Sequence, residues 1–406
     1  MSSTSPNTCT RSGQDKSVKL LVITNIYPPQ NLGGFGLCIE RLTEGLKRKG
    51  YSEIVLTGDQ PELGEGQGRH FIQRELKLLG EYKNGVQNLG EGHDKEKRTK
   101  YNLKTINNIL IEHKPDACLI GNLDLLGKEV LDCILAKNIP TVMHIGFMGS
   151  PFQGNWIPYT KPFRIASASG EVKRLLKTMG HNIEHHPIVY PPLAQEKPEE
   201  ELKSRCRGDQ LRIGFAGLLM HSKGLHVLME AASKMKTINS NFNITVAGHA
   251  FSKQYEEALG EYCTRANIKD NVRWMGFVEP NDLKGIYRDI DVLVFPSLYP
   301  EAFGMVVAEA MSNGVLPISS GVGGAFEVIT HGIDGLLVPP GDSDALYQQL
   351  EWCSRHIERV RKMGRRAQRN AFARFGPERS AEVLDQCFKE IENRENNQNS
   401  KTTLFY

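Results

Sequence analysis

The feature that most constrains the fold is an alternation of short apolar runs with helical stretches, which occurs twice along the chain. Apolar runs of this kind, separated by amphipathic helices, are typical of parallel sheets covered by helices. The sequence therefore predicts an α/β protein with two Rossmann-like domains. Its predicted strands are 19–24, 54–57, 116–121, 140–146 and 164–168, then 211–216, 242–248, 272–276, 291–296, 315–319 and 335–338.

Length and local composition predict where these domains begin and end. A chain of 406 residues is long enough for two domains of about 150 to 200 residues each. Ligands of open parallel sheets bind beyond the carboxyl ends of the strands, so two facing sheets would hold a ligand in a shared cleft. The predicted segments are a disordered 1–18, an N-terminal domain 19–190, a charged linker 191–210, a C-terminal domain 211–375, and a helix with a polar tail at 376–406.

Two further segments lack a clear periodic pattern. Between residues 58 and 100 the chain is rich in glycine, charged and amide residues, and it is too long for a plain connection, which predicts a mobile stretch. The tail from Asn393 to Lys401 is polar and is predicted to be disordered.

Charge, cysteine usage and hydropathy exclude several classes of protein. The net charge is only +3, which argues against nucleic-acid binding, and no stretch approaches the ~20 apolar residues of a membrane span. The N-terminus has no apolar signal region, and the eight cysteines are scattered without a CxxC pair, as in reduced cytosolic proteins. We therefore expect a cytoplasmic protein. Because the run 361–369 is basic, a peripheral contact with the inner face of the membrane is also possible.

The sequence predicts no required metal ion. His185 and His186 are adjacent, and in a strand their side chains would point to opposite faces, which does not suit joint metal ligation. Asp289-Ile-Asp291 has the form of a DxD metal motif, yet Asp291 begins the apolar run VLVF and is predicted to start a strand.

The segment from Pro296 to Gly314 carries the most chemical information, because a strand ends, a loop holds Glu301, and a helix holds Glu309. At ~1.5 Å per residue, Glu309 should lie about two turns inside the helix, with Glu301 just before its start. A carboxylate can accept both hydroxyls of a ribose diol or the hydroxyls of a sugar. The plainer alternative is that Glu301 complements the helix dipole and that Glu309 is solvated.

The start of this helix is itself a candidate binding site. Backbone amides of Phe303, Gly304 and Met305 should be unpaired there, and free amides at a helix N-terminus suit an anionic phosphate.

The whole string resembles the Glu-x7-Glu signature of glycosyltransferase family 4, the retaining "glycosyl transferases group 1" of the GT-B class. The resemblance covers most of residues 19–375 and follows the order of the family's motifs. These are IYPPQNLGGFG near the start, MHIGF at 143–147, HSKGLHVLMEA at 221–231 and GGAFEVITHGIDGLLVPPGD at 323–342. It implies the GT-B fold, in which an N-terminal acceptor domain faces a C-terminal donor domain across a cleft.

The resemblance also implies roles for particular residues. Gly33, Gly34 and Gly36 would form a flexible loop that approaches the donor diphosphate, although the glycines alone favour a simple turn. His144, at a strand end, would meet the donor sugar near the reacting carbon. Lys223 would neutralise the donor phosphates as the leaving group gains charge.

Three other positions are assigned less directly. Val278, beside Phe277, would face the nucleotide base through its backbone. Glu327 would pack or hydrogen-bond at the start of a second nucleotide-side helix. Leu218 departs from the family, where many relatives have an arginine, so one phosphate contact is missing or is supplied elsewhere.

The resemblance implies a retaining transferase that moves a hexose from a UDP- or GDP-sugar to a hydroxyl acceptor. The acceptor would be a glycan, lipid or small molecule and would meet the stretch 58–100. The departing phosphate would deprotonate the acceptor hydroxyl, and catalysis would rest on positioning and charge stabilisation without a cofactor. Closure of the domains would use 191–210 and the helical segment past Arg366 as hinges.

Three alternatives stay open. A catalytically silent GT-B protein would bind a nucleotide sugar or a partner without transfer, and Leu218 is the residue that favours it. A nucleotide-sugar epimerase would share the fold. A nicotinamide-dependent dehydrogenase would need a GxGxxG motif after the first strand, and the spacing of Gly33, Gly34 and Gly36 does not provide one.

Overall fold

The computed structural model describes residues 17–30, 33–64, 71–83, 86–89, 93–152, 154, 156–157, 162–194, 210–238, 240–250 and 252–402. For 81–83, 86–89, 93 and 394–402 it describes the backbone alone. The predicted disordered N-terminus, 1–18, and the predicted linker, 191–210, fall mostly outside these residues.

The N-terminal sheet is six-stranded and parallel, in the order β3-β2-β1-β6-β7-β8. Leu20 to Ile23 of the central strand β1 are fully buried, because helices cover both faces of the sheet. A separate antiparallel hairpin pairs β4 with β5. The strands are β1 Val18–Thr24, β2 Tyr51–Gly58, β3 Ile72–Leu76, β4 Gly80–Lys83, β5 Val86–Leu89, β6 Ala117–Ile120, β7 Thr141–Ile145 and β8 Phe163–Ser167.

The C-terminal sheet repeats this arrangement in the order β11-β10-β9-β12-β13-β14, again parallel throughout. Numbered within each sheet, both have the strand order 3-2-1-4-5-6 of a doubly wound fold. The order reverses between β1 and β6 in one sheet and between β9 and β12 in the other. The strands are β9 Leu211–Ala216, β10 Phe242–Ala247, β11 Val272–Trp274, β12 Val292–Phe295, β13 Leu316–Ser319 and β14 Leu336–Leu337.

Helices connect successive strands and supply the apolar faces that cover the sheets. In α1, for example, Cys38, Ile39, Leu42 and Leu46 recur at helical spacing and are buried against β1. The helices are α1 Gly34–Arg48, α2 His93–His113, α3 Lys128–Leu135, α4 Gly170–Thr178, α5 Leu225–Thr237, α6 Lys253–Arg265, α7 Leu283–Asp289, α8 Met305–Ser312, α9 Ala325–Val328, α10 Ser343–Arg355, α11 Ile357–Phe375 and α12 Pro377–Thr402.

The last helix returns to the N-terminal domain. Leu384 and Phe388 of α12 are buried in the same cluster as Leu20 and Leu42. Tyr51 of β2 also donates a hydrogen bond to Asp385 at 3.0 Å. The chain therefore crosses between the domains twice, once before β9 and once between α11 and α12.

The α/β prediction with two Rossmann-like domains is confirmed. The stretch 58–100, predicted to be mobile, contains β3, the hairpin and the start of α2. Two local predictions were wrong. The tail 393–401 is helical, because α12 continues to Thr402. His185 and His186 lie in a turn, and His186 Nδ1 accepts a hydrogen bond from the Ile165 amide at 2.8 Å.

Some candidate features are absent from the part of the chain that the structure describes. None of its helices combines the length and the hydropathy needed to cross a bilayer. No group of three or more His, Cys, Asp or Glu side chains lies close enough together there to hold a metal ion. Five of the described cysteines, at 38, 118, 263, 353 and 387, are buried.

Candidate functional site

The candidate site lies where the C-terminal sheet reverses its strand order, between the loops that follow β9 and β12. The first loop ends in a short turn from His221 to Lys223, followed by Gly224 in the left-handed conformation with φ 71°. A Cβ atom at Gly224 would lie 2.0 Å from the carbonyl oxygen of Pro296, at the start of the second loop. Because position 224 is glycine, the two loops pack directly against each other.

This close approach brings Lys223 against Glu301. Lys223 Nζ lies 2.6 Å from Glu301 Oε1, and the two side chains are 26% and 18% exposed. Ser297 donates a hydrogen bond to the same oxygen at 2.5 Å. Glu301 is fixed through its backbone too, since it bridges to Gly323 after β13. The site therefore presents a partly exposed ammonium and carboxylate at the carboxyl edge of the sheet, where a phosphate and hydroxyl groups can both be bound.

Helix α8 starts later than the sequence indicated. It begins at Met305, after Gly304 in the left-handed conformation with φ 91°, and the preceding Phe303 is buried. Glu309 is the fifth helical residue and therefore lies about one turn inside the helix, not two. The loop from Glu301 consequently extends three residues further, before the helix begins.

Glu309 is held from both domains. Its Oε1 accepts a hydrogen bond at 2.8 Å from Arg41 of α1, in the N-terminal domain, and its Oε2 accepts one at 3.4 Å from the Tyr287 hydroxyl in α7. Burial, then the negative charge of Glu309, raise the pKa of Tyr287 well above its usual value, so the phenol stays protonated and donates. Arg41 also donates to the carbonyl of Pro192 at 3.1 Å. These contacts link α1, the first interdomain crossing and α8.

The glycine loop of the N-terminal domain faces the start of α8. Gly33 adopts φ 76°, and a Cβ atom at Gly34 would lie 2.7 Å from Met305 Sδ. Gly36 is buried in the first turn of α1. Met305 packs against apolar clusters of both domains. The structure thus brings the predicted glycine loop and the predicted phosphate-binding helix start together at the boundary between the domains.

His144 is on β7 and is fully buried. Its Nε2 lies 3.0 Å from the Val189 carbonyl, which can only accept, so Nε2 carries the proton and Nδ1 presents a lone pair without a partner among the described residues. Burial lowers the pKa of this imidazole to about 4, so it is neutral at pH 7. The Phe35 ring lies 6.0 Å from it, centroid to centroid. A sugar can reach the ring only if neighbouring groups move.

The remaining predicted positions lie around the same edge. Phe277 is 60% exposed and contacts His249 ring to ring at 5.8 Å, whereas Val278 packs against the cluster that contains Tyr287. Leu218 is half-buried in the loop between β9 and Lys223. Its neighbour Leu219 pairs with Ala250 after β10. The structure brings no arginine side chain of the described residues to Lys223 or Glu301 by a hydrogen bond or ion pair.

Glu327 makes a second interdomain contact. Its carboxylate accepts hydrogen bonds from the backbone amides of Gly170 at 3.0 Å and Glu171 at 2.8 Å, at the N-terminus of α4. The Tyr190 hydroxyl donates to it at 3.1 Å, and burial, together with Glu327, raises the pKa of Tyr190. A carboxylate at a helix N-terminus satisfies unpaired amides and complements the helix dipole. Glu327 therefore has the hydrogen-bonding role that its sequence context suggested.

Asp291 forms a buried ion pair with Arg212. The Arg212 guanidinium donates to both carboxylate oxygens, at 2.9 and 2.8 Å, and the two side chains are 9% and 0% exposed. The Asp291 partner also holds the pKa of Arg212 above its usual value. Asp289, by contrast, is an exposed residue at the end of α7. The two aspartates therefore do not converge on a common ligand position.

Four residues of these contacts were missed from the sequence: Arg41, Tyr287, Ser297 and Arg212. Ser297 lies within the signature string and could have been found as a neighbour of Glu301. The others contact partners that are distant in the chain, and Arg41 is separated from Glu309 by 268 positions. Nothing in the local pattern distinguishes Arg41 from an ordinary surface residue of an amphipathic helix.

Comparisons with known proteins agree with this architecture. Residues 196–370 match the family model described as "Glycosyl transferases group 1". An uncharacterised glycosyltransferase of Methanocaldococcus jannaschii is 26% identical over 352 residues, 81% of this chain and 87% of that protein. A D-inositol 3-phosphate glycosyltransferase of Paenarthrobacter aurescens is 27% identical over 56% of this chain and 57% of that protein.

A solved structure of HepE from Anabaena, in complex with UDP and glucose, has a TM-score of 0.71 to this chain. It is 19% identical, and the match covers 92% of this chain and all of that one. The two doubly wound domains and these matches define the chain as a glycosyltransferase enzyme with the GT-B architecture. Its C-terminal domain is the part that matches the group 1 family model.

Proposed function

We propose that the chain is a retaining glycosyltransferase of family 4, which transfers a hexose from a UDP- or GDP-sugar to a hydroxyl acceptor. The observation that carries the proposal is the Lys223–Glu301 pair at the edge of the C-terminal sheet, 2.6 Å apart and partly exposed. Lys223 supplies a cation for the donor phosphates. Glu301 supplies acceptors for hydroxyls of the sugar.

The donor diphosphate would lie between the start of α8 and the glycine loop. The amides of Phe303 and Gly304 come just before that helix and the amide of Met305 is its first, and amides in this position suit phosphate oxygens. Gly34 faces Met305 without a side chain in between. The ribose would be bound by Glu309 and the base would lie near Val278, which packs against the cluster containing Tyr287.

The chemistry required of this site is charge stabilisation. As the bond between the sugar and the phosphate breaks, negative charge grows on the leaving phosphate, and Lys223 would stabilise it. For retention, the acceptor hydroxyl attacks from the face that the phosphate leaves, so the phosphate itself can take the hydroxyl proton. His144, neutral at pH 7 because burial lowers its pKa to about 4, would meet the sugar as a hydrogen-bonding group, not as a cation.

Retention is tested with water as the acceptor. The chain is incubated with UDP-α-glucose, or with GDP-α-mannose, in the presence of a chelator, and proton NMR records the released sugar before it mutarotates. We expect release from one of these donors, with the α anomer appearing first. A β anomer appearing first would contradict retention, and no release from either donor would favour the catalytically silent alternative.

The assignment of Lys223 is tested in the same assay. Loss of one charge-stabilising group typically lowers kcat by about 100- to 1000-fold, so the kcat of Lys223→Gln should be lower than that of the native chain by that factor. Lys269→Gln removes the same charge from an exposed position in the turn Lys269–Asn271 and is the matched control. Equal rates for the two variants would exclude Lys223 from the reaction.

A further inference from the structure

Arg41 is the side chain that joins the N-terminal domain to the predicted ribose-binding residue. It lies on α1, is 14% exposed, and uses two separate guanidinium nitrogens. Nη1 donates to the carbonyl of Pro192 at 3.1 Å, and Nη2 donates to Glu309 Oε1 at 2.8 Å. A charge-assisted hydrogen bond between half-buried partners holds its geometry better than an exposed ion pair does.

The contacts of Glu309 show what this arrangement does to the carboxylate. Oε1 is bonded to Arg41, and Oε2 lies 3.4 Å from the hydroxyl of Tyr287. Two ionised oxygens offer about four acceptor positions, so these bonds leave room for the two hydroxyls of a ribose. The Tyr287 contact is long, and it belongs to the same domain as Glu309. The short contact that fixes the orientation of the carboxylate therefore comes from the opposite domain.

We propose that Arg41 is a positioning residue of the donor site, which orients the Glu309 carboxylate toward the ribose diol when the two domains are together. This inference rests on the proposed function. It makes donor binding depend on the N-terminal domain through a residue that does not contact the donor. Moving the domains apart would remove Arg41 and leave Glu309 with Tyr287 alone.

The chemistry of the side chain makes arginine specific at this position. Its planar fork carries donors that point in different directions, so it can bond a backbone carbonyl and a carboxylate at once. A lysine has one nitrogen at the end of a flexible stem and would not reproduce both contacts with the same orientation. Arg41→Lys is therefore a more informative variant than a large truncation, because it keeps the charge.

The test measures the preference for the ribose 2′-hydroxyl. Calorimetric dissociation constants are obtained for UDP and 2′-deoxy-UDP, and for GDP and 2′-deoxy-GDP. A hydrogen bond to a charged group corresponds to about tenfold or more in affinity, so the native chain should prefer the ribonucleotide of its donor base by about tenfold. Glu309→Gln should lower this preference to about twofold or less. Arg41→Gln and Arg41→Lys should lower it likewise, while affinity for the deoxynucleotide changes by less than about twofold.

Arg365→Gln is the matched control, since Arg365 is exposed on α11, and it should keep the native preference. Thermal unfolding checks that each variant is folded. If Arg41→Gln does not fold, the comparison is made with Arg41→Lys. A native preference that disappears in Glu309→Gln but persists in both Arg41 variants overturns the inference and leaves the proposed function intact. Tighter binding of the ribonucleotide by the Arg41 variants also overturns it, because Arg41 would then compete with the ribose. If the native chain binds none of the four nucleotides, the proposed function fails as well.

Discussion

The carboxylate of Glu327 accepts a hydrogen bond from the backbone amide of Glu171 at 2.8 Å, across the boundary between the domains. The amide of Gly170 donates to the same carboxylate at 3.0 Å. The first two amides of α4 are thus bonded from the C-terminal domain, while the side chain of its N-cap residue, Ser169, accepts from the amide of Val172. This contact and the Arg41–Glu309 bond are polar interactions that exist only while the domains are together.

Replacing Glu327 should therefore loosen the start of α4. Loss of a helix cap costs about 1 to 2 kcal/mol, which corresponds to roughly 5- to 30-fold faster amide exchange. We expect this increase for Glu327→Ala in the peptide that spans residues 168–178, measured by hydrogen exchange and mass spectrometry. Glu378→Ala, at an exposed position in α12, is the control and should leave the peptide unchanged. Identical exchange in the two variants would mean that the cap contributes nothing in solution.

Gly224→Ala should disrupt the packing of the two site loops. The residue has φ 71°, and the added Cβ would lie 2.0 Å from the Pro296 carbonyl oxygen, so backbone must shift. We expect the free energy of unfolding to fall by about 2 kcal/mol or more in urea titrations. Gly260→Ala is the matched control: it lies inside α6 with open space around it, and it should gain roughly 0.5 to 1 kcal/mol. If both substitutions lowered the free energy of unfolding, or both raised it, this expectation would be contradicted.

Asp291→Ala should be far more damaging than Asp289→Ala. Removing one partner of a buried ion pair leaves an uncompensated charge and costs about 3 to 5 kcal/mol, here the charge of Arg212. Asp289 is exposed, and its replacement should cost less than about 1 kcal/mol. Urea unfolding of both variants gives the comparison. Equal costs, together with a rise in melting temperature on adding Mn²⁺ to the native chain, would instead support a metal site at these aspartates.

His186 should make the chain less stable as the pH falls. Burial, and then the charges of Arg164, Lys173 and His185, lower its pKa from 6.5 to about 4. Between these values the unfolded state binds a proton and the folded state does not, so stability falls from pH 6.5 toward pH 4. His186→Asn keeps an acceptor for the Ile165 amide without titrating. The native chain should lose about 1 to 2 kcal/mol relative to this variant over that range, because solvent screens a partly exposed ring. A difference in stability between the native chain and His186→Asn that stays constant over this pH range would contradict the assignment of the pH dependence to His186.

Much of the fold could be predicted because its strands are buried on both faces. All six strands of the C-terminal sheet and five of the N-terminal sheet were found as apolar runs. The strand β3 was missed because it lies at the sheet edge and only Leu76 in it is fully buried, so its sequence, IQREL, carries no such run. The helical stretch 393–401 was predicted to be disordered because it is polar and has no apolar residues at helical spacing.

The site could be predicted only in part. Lys223, Glu301 and the glycine loop were found from motifs, and the structure brings Lys223 to Glu301 and Gly34 to Met305. The interdomain contacts could not be found, because they depend on how two domains meet. From the sequence alone, Arg41 has the pattern of a surface charge, and only the position of α8 opposite it shows its contact with Glu309. The burial of His144 depends on Phe35 and Val189, which come from other segments.

Ligand-dependent thermal unfolding shows whether a nucleoside diphosphate binds at Lys223, Glu301 and Glu309. The native chain is unfolded with UDP, GDP or ADP in turn, without added metal, and so are Lys223→Ala, Glu309→Ala and the control Lys269→Ala. A ligand at a hundredfold excess over its Kd stabilises the folded state by about 2.7 kcal/mol. We expect one nucleotide to raise the melting temperature of the native and control chains but not that of the two site variants. No shift with any nucleotide, or an equal shift in all four chains, would contradict it.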